Sequence, residues 1–189
     1  MKFNTTAIST HHVDSPLGGI TLAATEHGLA GLWFDGQQHA PDMRGWRPDS
    51  AQTTLQQAAA QLTAYFAGAR VDFELPLDLS HGTPFQQAVW QALRAIPHGG
   101  TTSYGAIGVA LGNPAAVRAV GAAVGRNPLS VIVPCHRVIG MRGALTGYAG
   151  GLHRKTALLT LEGALPSAPG RSSPERNRPR AAAQGKLAL

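Results

Sequence analysis

The hydrophobic pattern of the chain changes its period near residue 80, and this change most constrains the fold. Before it, the segments HHVDSPLGGITLAAT and GLAGLWFD hold short runs that favour strands, separated by Pro-Leu-Gly-Gly and Glu-His-Gly turn signals. After it, TPFQQAVWQALRAI repeats apolar residues at helical spacing. The sequence therefore predicts an α+β protein, with a small sheet first and helices later.

Two longer helices have recognisable ends. In SAQTTLQQAAAQLTAYFAG, Ser50 is a candidate cap and Gly68 a stop signal, which predicts a helix packed on the sheet. Thr83 and Pro84 suit the cap and the first position of the next helix. The apolar face of that helix is predicted to contain Phe85, Val89, Ala92, Leu93 and Ile96.

A pair of short helices follows. TSYGAIGVALG and AAVRAVGAAVGRN flank the turn Asn113-Pro114, which is typical of a helix-turn-helix, as in winged-helix-like domains. At 100° per residue, Val117, Val120 and Val124 share one face of the second helix and are expected to pack inward. The opposite face is small and basic, a shape that suits a DNA groove or, alternatively, an ordinary solvated surface. It consists of Ala115, Arg118, Ala119, Ala122 and Arg126.

Charge divides the chain into three parts. Residues 1–80, an N-terminal sheet-and-helix domain, carry four Lys/Arg and eight Asp/Glu, a net charge of −4. Residues 81–165, the helix-turn-helix domain, carry seven and one, a net charge of +6. Residues 166–189 carry five and one, and their Pro, Ser, Arg and Ala content predicts a disordered basic tail. A basic middle segment favours a polyanionic partner such as nucleic acid.

The composition excludes several classes of protein. One cysteine among 189 residues forms no internal disulfide and supplies no structural zinc site. No apolar run approaches the roughly 20 residues of a membrane span, and the N-terminal segment lacks the apolar core of a signal peptide. We therefore expect a soluble cytoplasmic protein that does not bind a membrane.

The single cysteine lies in VIVPCHRVIG, after a run that predicts a strand. A lone cysteine here is most often buried packing, but His136 and Arg137 follow Cys135 directly, and a nearby base or cation can activate a thiol. Adjacent strand residues point to opposite faces, so His136 needs a water bridge or a turn after Pro134 to reach the thiol. Glu162 is the sole carboxylate side chain of residues 81–165, and it either orients a histidine or is a surface residue.

Three segments together resemble one protein family. They are TPFQQAVWQALRAIPHGGTTSYGAI, NPAAVRAVGAAVGRNPLSVIVPCHRVIG and LTGYAGGLHRKTALLTLEG, which are similar to the methylated-DNA–protein-cysteine methyltransferases. The resemblance spans residues 83–163, and Pro-Cys-His-Arg-Val is its most specific motif. The N-terminal segment SPLGGITLAAT is similar to the variable first domain of the family. Members move an alkyl group from O6 of guanine in double-stranded DNA to their own cysteine, without a cofactor or metal, in one turnover.

The resemblance assigns the reacting groups. It implies that Cys135 accepts the alkyl group, that His136 relays the thiol proton through a water, and that Glu162 holds and polarises the histidine. It also implies that Asn127 braces the turn that carries the cysteine. Tyr104 matches the tyrosine that helps rotate the nucleotide and donates to the purine N3.

The resemblance also assigns the DNA contacts. Arg118 matches the arginine finger that fills the vacated place in the stack, and Ala119, Ala122 and Arg126 are expected to face DNA beside it. The wall of the base pocket is expected to contain Tyr148, Ala149 and Val138. The protein is expected to act as a monomer.

Two other functions remain possible from the residues. An alkyltransferase-like protein binds lesions without transferring the group, but such proteins replace the acceptor cysteine, which is retained here as Cys135. A Cys-His hydrolase needs a base in direct contact with the nucleophile, usually from a separate element, and no histidine motif indicates one. Neither the range of alkyl groups nor activity on O4-methylthymine follows from the sequence.

Overall fold

The computed structural model describes residue 3 and residues 7–69 and 72–166. An antiparallel meander of three strands forms the N-terminal sheet, and a two-residue fourth strand pairs parallel with the first, in the order β3-β2-β1-β4. The predicted sheet is therefore confirmed. The strands are β1 (Ser9–Val13), β2 (Ile20–Thr25), β3 (Gly28–Phe34) and β4 (Arg47–Pro48).

The first helix, α1 (Thr53–Phe66), packs its apolar face on β2 and β3. Its N-cap lies two residues later than predicted, because the Oε1 atom of Gln52 accepts the N–H of Leu55 at 2.8 Å and Ser50 makes no such bond. The residues that α1 buries are Leu55, Ala58, Leu62 and Tyr65.

The second half of the chain is mainly helical. Thr83 and Gln86 form a capping box at the start of α2, so the predicted cap is confirmed. The predicted face of α2 is partly wrong, because Phe85 is exposed whereas Trp90 is buried and donates its Nε1–H to the carbonyl of Ala123 at 2.9 Å. The helices are α2 (Pro84–Arg94), α3 (Tyr104–Ala110), α4 (Val117–Gly125) and α5 (Leu152–Leu161).

Helices α3 and α4 form the predicted helix-turn-helix, with a single 3₁₀ turn at Pro114–Ala116 before α4. Gly108 permits the close approach of the turn, since a Cβ atom there would lie 3.0 Å from the carbonyl oxygen of Asn113. Val120 and Val124 pack inward as expected, but Val117 is exposed. Val117 is the first residue of α4, where the chain has just left the 3₁₀ turn and does not yet face the core.

Both halves of the chain share one continuous hydrophobic core, so the division at residue 80 remains a prediction. Strand β3 also runs beside the segment that precedes the cysteine, with Leu32 bridging Leu129. Within the described ranges, no helix is long and apolar enough to cross a membrane. The predicted tail, apart from residue 166, lies outside the described residues.

Candidate active site

Cys135 lies at the start of a 3₁₀ turn, Cys135–Arg137, and not at the end of a strand. The prediction of a strand over residues 131–133 is wrong: Val131 has φ 71°, a left-handed conformation that interrupts extended pairing and that a β-branched residue rarely adopts. Such strain persists only where surrounding contacts determine the backbone. The loop that carries the thiol is therefore held by its neighbours.

Asn127 supplies most of that hold. Its Nδ2 atom donates to the carbonyl of Val133 at 2.7 Å and to that of Leu129 at 3.3 Å, and its Oδ1 atom accepts the N–H of Leu129 at 3.0 Å. The same Nδ2 atom lies 3.0 Å from the Sγ atom of Cys135. One buried amide thus ties the loop to itself and to the sulfur, a geometry that suits the bracing role expected from the sequence.

A cavity of about 140 Å³ opens beside the thiol. It brings together Cys135 with Tyr104, Tyr148 and Ala149, which the sequence predicted for this site. Val138 does not line it, because its side chain is fully buried in the hydrophobic core, and its carbonyl accepts a hydrogen bond from Lys155 on α5. The residues that line the cavity are Gln38, His39, Tyr104, Gly121, Val124, Gly125, Cys135, Gly147, Tyr148 and Ala149.

Behind the loop, His136 and Glu162 form a buried pair. The Nε2 atom of His136 lies 2.9 Å from the Oε1 atom of Glu162, and neither side chain is exposed. Arg137 binds both carboxylate oxygens, with its Nε atom 2.8 Å from Oε2 and its Nη2 atom 2.9 Å from Oε1. Burial by itself would raise the pKa of Glu162, but the hydrogen bonds from His136 and Arg137 hold that pKa well below its usual range.

A third donor to Glu162 comes from the N-terminal half. The hydroxyl of Tyr65, on α1, donates to the Oε1 atom of Glu162 at 2.8 Å. Burial, together with the neighbouring carboxylate, raises the pKa of Tyr65 and keeps it a donor. From the sequence, Tyr65 belongs only to a predicted helix, and 97 residues separate it from Glu162.

The protonation states follow from this arrangement. Burial lowers the pKa of His136, so its imidazole is neutral, and an Nε2–H that donates to ionised Glu162 leaves the lone pair on Nδ1. That Nδ1 atom is buried and has no hydrogen-bond partner among the described residues. Burial raises the pKa of the Cys135 thiol to about 11, so the sulfur carries its proton at neutral pH. The site therefore combines a protonated thiol with a neutral base on the next residue.

Lys155 is a further residue that sequence analysis missed. Its buried Nζ atom donates to the carbonyls of Val138, Thr146 and Gly147 at 2.6, 2.8 and 3.2 Å. These bonds hold the loop that leads to Tyr148 against the turn after the cysteine. Burial lowers the pKa of Lys155 to about 8. No local pattern around Lys155 indicated that its side chain points inward.

The exposed face of α4 borders the same cavity. Gly121, Val124 and Gly125 line the cavity, and Arg118, Ala119, Ala122 and Arg126 are exposed along the helix. Tyr104, at the start of α3, donates its hydroxyl to the carbonyl of Thr146 at 3.3 Å.

Across the part of the chain that the structure describes, no group of three His, Cys, Asp or Glu side chains could hold a metal ion.

Two family models match consecutive parts of the chain. The model described as 6-O-methylguanine DNA methyltransferase, DNA binding domain, matches residues 84–164. The model described as 6-O-methylguanine DNA methyltransferase, ribonuclease-like domain, matches residues 8–79. Together the two matches include most of the described chain, among them the loop that carries Cys135.

Curated and solved relatives agree with these models. The methylated-DNA–protein-cysteine methyltransferase of Mycobacterium tuberculosis is 51% identical over 150 residues, covering 79% of this chain and 89% of the relative. That of Methanosarcina acetivorans is 48% identical over 151 residues, covering 79% and 95%. The crystal structure of M. tuberculosis OGT in complex with DNA has a TM-score of 0.77 at 50% identity, covering 82% of this chain and 93% of that one. The chain belongs to the family of methylated-DNA–protein-cysteine methyltransferases.

Proposed function

We propose that this protein repairs double-stranded DNA by transferring an alkyl group from O6 of guanine to the Sγ atom of Cys135. The observation that carries the proposal is the placement of the chain's single thiol. Cys135 lines a cavity together with Tyr104 and Tyr148, and the neutral imidazole of His136 follows it with Glu162 behind. The names of the family's curated members support the same reaction.

The proposed step is a single displacement. The Nδ1 atom of His136 takes the thiol proton through a bridging water. A base is needed because a thiol with a pKa of about 11 keeps its proton at neutral pH. The sulfur forms a bond to the alkyl carbon, and the C–O6 bond breaks. Its electron pair stays on the guanine, which takes up one proton from water and is restored, and this proton balances the one that the thiol gave to His136. Glu162 stabilises the imidazolium that forms.

The duplex must deliver the base to the thiol. An O6 substituent inside a stacked duplex cannot reach a 5% exposed cysteine, so the nucleotide is rotated into the cavity. In this proposal Tyr104 helps rotate the nucleotide and donates to the purine N3, Tyr148 and Ala149 contact the base, and Arg118 fills the gap in the stack. The small exposed residues Ala119 and Ala122 allow close approach to a groove, and Arg126 contacts phosphate.

The product is a thioether, and the chain has no second cysteine to accept the group. We therefore propose a protein that is consumed after one turnover, acts as a monomer, and works in the cytoplasm. A lone thiol suits that reducing compartment. The retained cysteine favours this function over lesion binding without transfer.

Intact-protein mass tests the proposal. Mixing the protein with a duplex that contains O6-methylguanine is expected to add one methyl group, located on Cys135, and to saturate at one equivalent. The Cys135→Ser variant, which removes the sulfur alone, is expected to gain nothing. A folded protein with no mass change would contradict the transfer, and turnover beyond one equivalent would contradict consumption.

Arg118 provides a separate test of base rotation. Arg118→Ala is expected to slow reaction with the duplex far more than reaction with free O6-methylguanine. Arg126→Ala removes the same charge at the C-terminal end of the same helix and serves as the matched control. Its effect on the duplex reaction is expected to be smaller, and added salt is expected to reproduce that effect in the unmodified protein. Equal losses on both substrates would argue against an inserted side chain.

A further inference from the structure

Part of the acceptor cavity is built by the N-terminal half of the chain. Gln38 and His39 follow β3 and line the cavity beside Cys135, Tyr148 and Ala149. Both are exposed polar side chains, whereas most other lining residues are glycines or buried apolar groups of the helical half. Sequence analysis gave these residues no role, since they lie about one hundred positions from the cysteine in a loop without a recognisable motif.

The loop Gln37–His39 is attached at two points to the segments that form the site. The Oε1 atom of the buried Gln37 accepts the hydroxyl of Ser130 at 3.1 Å and the N–H of Phe34 at 3.2 Å. The N–H of Gln38 donates to the carbonyl of Ala149 at 3.0 Å. One bond therefore reaches the segment before the cysteine, and the other reaches the pocket wall.

The backbone that leads into the loop is attached as well. Leu32 donates its N–H to the carbonyl of Pro128 at 2.8 Å and accepts the N–H of Ser130 at 3.2 Å. These bonds attach the end of β3 to residues 128–130 of the helical half, just before the loop begins. The side chains of Gln38 and His39 are therefore held at the cavity by a fixed backbone.

His39 is in a left-handed conformation, with φ 62°. A non-glycine residue in this region costs free energy, and histidine is one of the residues that tolerate it better. In this conformation, the imidazole of His39 lies at the edge of the cavity. Glycine could adopt the same backbone without strain, so His39→Gly removes the side chain and preserves the path of the loop.

We propose that the loop Gln37–His39 is a specificity element that limits the size of the O6 substituent the cavity accepts. The inference rests on the proposed function and names its substrate class: small O6-alkyl groups, methyl above all. A base and its O6 substituent must fit the cavity beside Cys135, and the side chains of Gln38 and His39 form part of its wall. A substituent as large as benzyl needs the space that these two side chains occupy.

The experiment compares rate constants for duplexes that carry O6-methylguanine or O6-benzylguanine, and the readout is the benzyl-to-methyl ratio. His39→Gly and Gln38→Gly are each expected to raise this ratio by about tenfold, since one or two methylene-sized contacts in a pocket discriminate by roughly 10- to 200-fold. Gln38→Trp is expected to lower the ratio. His27→Gly removes an exposed imidazole from a turn of the same half that does not line the cavity, and is expected to leave both rates unchanged.

The outcomes separate the two proposals. With an unmodified protein that accepts the methyl group, an unchanged ratio in both glycine variants would overturn the specificity role alone. A parallel loss of both rates would also overturn it, because it would assign the loop to DNA binding. If the folded unmodified protein transferred no methyl group, the proposed function would fail and this inference with it.

Discussion

Two buried histidine–carboxylate pairs occur among the described residues, and one of these two adjoins the cysteine. His136 and Glu162 meet at 2.9 Å with both side chains fully buried. His81 and Asp78 meet at 3.2 Å with side chains 7% and 4% exposed. By distance and burial the pairs are similar. Only His136 and Glu162 are hydrogen-bonded, however, since the Nε2 atom of His81 has no hydrogen-bond partner among the described residues, and the surroundings of the two pairs also differ.

The surroundings of the second pair are structural. Asp78 accepts hydroxyls from Thr25 at 2.7 Å and Ser80 at 2.6 Å, and its backbone N–H donates to the carbonyl of Leu29 on β3. The ring of His81 packs against Phe3, with centroids 4.4 Å apart. Neutral hydroxyls and an aromatic ring therefore surround the pair of His81 and Asp78, whereas an arginine and a thiol lie beside the pair of His136 and Glu162. The pair fastens the chain between the sheet and α2, whereas His136 and Glu162 stand behind the chain's single thiol.

The largest expected difference is in the rate of alkyl transfer. His136→Gln is expected to slow transfer from O6-methylguanine by about 10²- to 10⁴-fold, the usual contribution of a general base. His81→Gln, the matched control, is expected to leave the rate unchanged in folded protein. Single-turnover kinetics measure both, and equal losses in the two variants would show that the comparison is wrong.

The next difference is in stability. Glu162→Gln removes the charge that Arg137 pairs with, and leaving a largely buried cation unpaired is expected to lower the free energy of unfolding by about 3 kcal/mol. Asp78→Asn leaves no arginine unpaired, and a loss of about 1 kcal/mol is expected. Urea denaturation measures both. Similar losses would indicate that Arg137 finds another partner.

The pair of His136 and Glu162 also makes stability depend on pH. Burial lowers the pKa of His136 in the folded protein, so below pH ~6.5 the unfolded chain binds a proton there that the folded chain does not. The free energy of unfolding is therefore expected to fall as pH decreases from that point, and His136→Gln should remove this part of the decline. The hydrogen-bonded Glu162, whose folded pKa is also lowered, adds a further decline below pH ~4.3. A His136→Gln profile that matched the unmodified protein from pH 6.5 to 5 would contradict the assignment.

The smallest expected effects concern single hydroxyl donors. Tyr65→Phe removes one donor to Glu162, and Thr25→Val removes one donor to Asp78. Each is expected to lower stability by about 1 kcal/mol. Only Tyr65→Phe is expected to slow transfer, by a few-fold, and to move its pH profile, because Tyr65 positions the carboxylate that holds His136. A shifted profile in Thr25→Val would break the distinction.

The sequence by itself determined the class of fold and the start of α2. Period, caps and turns are local properties, so the sheet, the capping box at Thr83 and the helix-turn-helix followed from neighbouring residues. The cysteine motif is also local, and it indicated Cys135 and His136. Local patterns were least reliable where backbone strain intervened, as at Val131, or at the first residue of a helix, as at Val117.

Only the tertiary structure decided what surrounds the thiol. The buried position of Glu162, the donors Arg137 and Tyr65, and the cavity residues Gln38 and His39 come from segments up to about one hundred residues apart. The side chain of Val138 points into the core although its motif adjoins the site. Burial, pKa and cavity shape arise when distant segments pack together, and no local pattern encodes which of two similar histidine–carboxylate pairs will lie behind a cysteine.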